Sequence, residues 1–171
     1  MRPVLRGSSS AVIRIIGQAP GTRVQKSGLP FTDPSGDRLR DWLQMSQDEF
    51  YDARRVAITP MGFCFPGLDA KGGDKPPRKE CAPLWQTRAG AALPNVTLTV
   101  LIGAYAQAWH LGGAASKTLT ETVANWRRFA PAVFPTPHPS WRNNAWLKKN
   151  PWFEAELLPV LRARVRELMN G

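Results

Sequence analysis

Val12-Ile13-Arg14-Ile15-Ile16-Gly17-Gln18-Ala19-Pro20-Gly21 is the stretch on which the fold turns. A short apolar run that stops at a glycine is the pattern of a buried parallel strand, since a strand covered on both faces has no reason to alternate. Gly and Pro then bend the chain into a tight turn whose amides can point at an oxygen or a phosphate. Similar runs at 56–58, 96–102 and 132–134 supply three more strands. Between them lie helical patterns at 35–43, capped by Ser35, and at 80–93, 103–111 and 119–129, with 144–149 and 154–169 closing the chain. The alternation predicts an α/β fold: a three-layer α/β/α sandwich with a short, central, four-stranded, mostly parallel sheet, formed as one domain over 1–171. In such sheets ligands bind beyond the carboxyl ends of the strands. The irregular stretches at 17–37, 60–77 and 137–144 all leave that edge.

Composition narrows the function. The 171 residues carry 23 Lys and Arg against 13 Asp and Glu, a net charge of +10, which makes a polyanion the first partner to consider. Two Cys and two His exclude a disulfide scaffold and leave few routes to an all-protein zinc site. The H-x-E and P-C-x-x-C pair of zinc deaminases is absent. Without a run of ~20 apolar residues no membrane span is expected. The chain is expected to be a cytoplasmic monomer.

Gly17-Gln18-Ala19-Pro20-Gly21 alone says little, being neither a Walker loop nor a dinucleotide fingerprint. Together with Ser27-Gly28-Leu29-Pro30-Phe31 and His138-Pro139-Ser140-Trp141-Arg142-Asn143, in this order and spacing, it resembles the uracil-DNA glycosylase superfamily through nearly the whole chain. That resemblance implies a DNA-repair enzyme that flips uracil, or a related deaminated base, out of single- or double-stranded DNA and hydrolyses its N-glycosidic bond. Phe31 would stack on the base; its other reading is a core phenylalanine. His138 would donate to the base oxygen that gains charge as the bond breaks, as in an oxyanion hole; its other reading is a solvent-facing loop histidine.

The sequence departs from its relatives in three places. The thermophile-type branch has Glu where this chain has Gln18, and another branch has Asp where Ala19 stands. A third uses an Asp just after its Phe-Thr, which corresponds to Asp33. Asp33 is thus a candidate water activator beside Gln18, and equally a turn or helix-capping residue. The Asn that reads the base at the end of the second strand is missing, leaving backbone groups near Met61 and Gly62 to substitute. The thermophile-type branch also ligates a 4Fe-4S cluster with four Cys; Cys64 and Cys81 match its wider pair, the close pair is absent, and a complete site would need a Cys-x-x-Cys upstream. Against DNA, Ser140 would bond a phosphate and Trp141 or Arg142 would wedge into the vacated stack. Asn143 and Lys148 would lie beside the backbone. Arg162 and Arg166, at i and i+4, read as an ordinary solvated helix face. The rival readings are a catalytically inactive DNA-binding module of the same fold and an enzyme acting on free nucleosides.

Overall fold

Four short strands, β1 (Ile13–Ile16), β2 (Val56–Ile58), β3 (Leu98–Ile102) and β4 (Val133–Thr136), form the centre of the molecule. In the computed structural model, which describes residues 2–171, they lie in the order β2-β1-β3-β4 with every pair parallel. Both rims of the sheet are modified. Arg6 bridges antiparallel to Ile58 at the β2 rim, and Pro135 sits within β4 at the other.

Side chains alternate across the pleat, so each strand serves two layers. On one face Ile13, Ile15, Val56, Ile58, Leu98, Val100, Ile102 and Phe134 share a core with Leu39, Trp42 and Leu43. Those three belong to α2 (Pro34–Leu43), and Leu158, Leu161 and Val165 join them from α8 (Leu158–Asn170). On the other face Ile16 and Leu101 pack with Met61 and with Ala106 of α5 (Gly103–Leu111), while Ala57 meets Leu93 just beyond α4 (Cys81–Ala91). The three layers and the central parallel sheet are those the strand pattern predicts.

Arg14 interrupts the apolar run of β1 on that second face and is 7% exposed. Its Nε donates to Thr59 Oγ1 at 2.8 Å and its Nη2 to Gln86 Oε1 at 3.1 Å. Gln86 Nε2 in turn donates to the Pro60 carbonyl at 2.8 Å. The charge is satisfied by neutral acceptors, and burial lowers the guanidinium to about 10.

The remaining elements differ from expectation for local reasons. Helix α2 begins one residue early, on Pro34, with Asp33 rather than Ser35 at the N-cap position; Ser35 lies buried in the first turn. The helix predicted over 119–129 ends as α6 (Leu119–Ala124) and gives way to a 3-10 turn, Trp126–Arg128. This lets Trp126 stack on Phe134 with ring centroids 5.8 Å apart. The last helix opens with a π-turn, Phe153–Leu157, before α8, because Pro159 has no N–H to give the carbonyl four residues back. Two short helices were not expected: α1 (Thr22–Ser27) and α3 (Gln47–Phe50). Helix α7 (Asn144–Lys149) falls where predicted.

Arg162 and Arg166 do more than solvate a helix face. Arg162 Nε donates to the Trp42 carbonyl at 2.9 Å, and Arg166 reaches the Gln44 carbonyl at 2.9 Å and Glu49 at 2.7 Å. They tie α8 to the exposed carbonyls at the end of α2.

Candidate active site

The turn at 17–21 is strapped to the chain leaving β2: Met61 N–H donates to Gly17 O and Gly62 N–H to Gln18 O, both at 2.9 Å. Those amides are therefore engaged behind the turn, and Met61, 4% exposed, is part of the core. Neither residue lines the pocket or the cleft described below, and with both amides engaged only carbonyls near Met61 and Gly62 are left to meet a base.

Phe31 is held in an unusual backbone state, φ +58°, in the left-handed region that bulky residues rarely enter. Its surroundings enforce this. Arg40 donates to the Phe31 carbonyl at 3.2 Å, Tyr51 Oη donates to the Pro30 carbonyl at 2.6 Å, and a Cβ at Gly36 would overlap the Phe31 carbonyl oxygen. The ring is turned against the first turn, where a Cβ on Gly17 would come within 3.1 Å of it. Its edge meets Phe50 at a centroid distance of 6.1 Å.

His138, half-buried, follows β4. Its Nδ1 accepts the Ser140 N–H at 3.2 Å, and its carbonyl accepts Asn143 Nδ2 at 2.7 Å. A neutral imidazole whose Nδ1 accepts carries its hydrogen on Nε2. Burial pushes the imidazole below its ordinary value, against the opposing pull of Asp33 and Asp74. The ring is thus poised as a neutral Nε2–H donor.

Gln18, Ala19, Phe31, Asp33 and His138 come together around a pocket of about 100 Å³. It opens into a cleft of about 640 Å³ rimmed by Ser140, Trp141, Arg142 and Asn143. Trp141, 70% exposed, stands free on the rim. Ser140 Oγ caps the following turn by accepting Arg142 N–H at 3.2 Å, and Arg38 braces the Ser140 carbonyl at the same distance. Asn143 is turned inward onto His138. Lys148 is exposed on α7, outside the cleft lining. Asp33 accepts Ser35 Oγ on both carboxylate oxygens at 2.9 Å, so it braces the first turn of α2 while lining the pocket.

Three charged residues outside the motifs above also line the site: Asp74 in both cavities, and Arg23 and Lys75 in the cleft. Lys71 and Lys75 stand in a long Gly- and Pro-rich loop from which either could reach DNA or merely solvate it, and of the two Lys75 lines the cleft. Arg23 arrives on α1, and Asp74 and Lys75 on the loop after β2. The GGD run at 72–74 was the available signal for a turn presenting a carboxylate.

Cys64 and Cys81 are free, partly exposed thiols. Among the described residues no group of three or more His, Cys, Asp or Glu is arranged to hold a metal ion. Two thiols do not make up the donor set of a four-thiolate cluster. No helix among the described residues is long and apolar enough to cross a membrane.

A family model described as the uracil DNA glycosylase superfamily matches residues 6–162. Among solved structures, the chain is similar in fold to a solution NMR structure from Methanosarcina acetivorans, provisionally named a uracil DNA glycosylase. That match has a TM-score of 0.50 and 16% identity and covers 92% of this chain and 93% of that one.

Proposed function

The chain belongs to the uracil DNA glycosylase superfamily, and from that premise we propose that it excises uracil, or a related deaminated base, from DNA by hydrolysis, leaving an abasic site. The observation that carries this reading is His138, a neutral Nε2–H donor lining a base-sized pocket beside Phe31 and Gln18. In the proposed reaction the flipped base stacks on Phe31. The N-glycosidic bond breaks with its electron pair going to the base, and His138 Nε2–H stabilises the charge that develops on a base oxygen. A water adds to the sugar carbon. Gln18 holds that water by its side-chain amide, and Asp33 sets a negative charge opposite the positive sugar. Ser140, Trp141 and Arg142 face the strand, where a free tryptophan can fill the gap left by the base. The proposal includes action on DNA as a monomer in the cytoplasm.

The test is incubation with single- and double-stranded oligonucleotides containing one uracil, followed by alkaline cleavage. Strand breaks at the uracil position are expected. Salt-sensitive DNA binding without breaks would overturn the enzymatic reading and leave a DNA-binding role.

A further inference from the structure

The turn at 17–21 has Gln18 and Ala19 where a carboxylate would assist hydrolysis, yet a carboxylate reaches the same place from another part of the chain. Residues 67–75 fold back on themselves: Leu68 bridges antiparallel to Asp74, Lys75 N–H donates to Gly67 O at 2.9 Å, and Asp69 N–H donates to Gly73 O at 2.7 Å. The Asp69 carboxylate accepts the Lys71 and Gly73 amides at 2.8 and 2.9 Å, closing the tip. This braced hairpin carries Asp74 over the turn. Asp74 Oδ2 lies 3.1 Å from where a Cβ would stand on Gly21, which sets the carboxylate close against the turn.

Asp74 lines both the pocket and the cleft, with Gln18 and His138. Its charge is felt at the His138 ring. Asp33 and Asp74 differ in their engagement. Asp33 shares both oxygens with the Ser35 hydroxyl, whereas Asp74 is exposed to the cleft, where a water can reach it.

We propose, on the glycosylase reading above, that Asp74 accepts the proton of the hydrolytic water. The water oxygen forms its bond to the sugar carbon as the carbon–nitrogen bond breaks and its pair leaves with the base. One water proton passes to the Asp74 carboxylate and from there, through solvent, to the departing base anion. The products are an abasic sugar hydroxyl and the neutral base, so one water is consumed and Asp74 is regenerated. Asp33 remains a fixed negative charge beside the sugar.

The experiment uses the full chain and three variants, Asp74→Asn, Asp74→Glu and Asp33→Asn. Three quantities are measured: single-turnover excision from a uracil oligonucleotide, affinity for an oligonucleotide bearing a tetrahydrofuran abasic analogue, and thermal unfolding. General-base loss predicts that Asp74→Asn slows excision by about 100-fold or more. Analogue affinity and unfolding temperature stay close to wild type, and the acid limb of the pH–rate profile disappears. Asp74→Glu recovers part of the rate. An Asp74→Asn rate within threefold of an active wild type overturns the assignment and leaves the glycosylase reading standing. A wild-type protein that excises nothing overturns the glycosylase reading itself, and the assignment with it.

Discussion

His138 is kept neutral by two independent features. Burial disfavours its charged form, and its Nδ1 already accepts the Ser140 amide, a bond that protonation would turn into two donors facing each other. Replacing it with Ala should lower single-turnover excision by about two to three orders of magnitude, the range for removing one preorganised donor, with little change in DNA affinity. A comparable loss of affinity would show that the ring holds DNA rather than serving the reaction. Phe31 makes a second residue-scale prediction. Since a Cβ on Gly36 would overlap the Phe31 carbonyl, Gly36→Ala should destabilise the fold by roughly 2 kcal/mol or more in urea denaturation and disturb the base pocket at the same time. An unchanged midpoint would mean that the two loops are not packed as tightly as the geometry requires. Phe31, His138 and Gln18 were legible in the sequence because each sits in a segment that resembles a superfamily motif. Asp74 was not, because its position depends on a hairpin that folds back through backbone bonds, which are invisible in residue types.

Among the elements, the strands were readable because each is a short apolar run ending in Gly, Pro or Thr. The misses have physical sources. Helix α3 is announced only by the reciprocal Ser46–Glu49 capping box, and α1 is six residues closed by Gly28 in the left-handed conformation. The tie between β1, α4 and α5 was hidden because its members, Arg14, Gln86 and His110, lie far apart in the sequence. There His110 Nε2 meets Gln86 Oε1 at 2.9 Å. An amide oxygen only accepts, so Gln86 Oε1 takes bonds from both Arg14 and His110 and the histidine is the donor. Burial, and then the nearby Arg14 charge, lower its pKa from 6.5 to about 4. The unfolded chain therefore binds a proton that the folded chain refuses, and stability is lost as pH falls from about 6.5 towards 4, by at most about 1.4 kcal/mol per pH unit. His110→Gln removes this dependence. Urea midpoints at pH 7 and pH 4.5 should fall less for the variant than for wild type, and equal losses would exclude His110 as the source.

At the scale of the whole molecule, two groups stand apart among the 23 Lys and Arg behind the +10 charge. Arg14, Arg162 and Arg166 are bound to protein acceptors and hold layers together. Arg23, Lys75 and Arg142 line the cleft and are available to phosphates. Changing any one of these three to Gln should reduce the slope of log affinity against log salt by about 1 on duplex DNA. Arg162→Gln should leave that slope unaltered and lower the melting temperature instead. Titration of a fluorescent duplex at several salt concentrations distinguishes the two groups.

The two rims of the sheet bear on how the protein behaves at high concentration. A strand at the margin of a sheet is a template on which another chain can grow, and here neither margin is open. Pro135 withholds a donor from one, and at the other Arg6 occupies Ile58 through paired bonds of 2.9 and 2.7 Å. The amino-terminal segment thus takes up the backbone groups that a second chain would pair with at Ile58. Arg6→Pro, which takes away the bond donated to the Ile58 carbonyl, should produce a protein that gains light scattering on storage, while the unaltered chain stays dispersed.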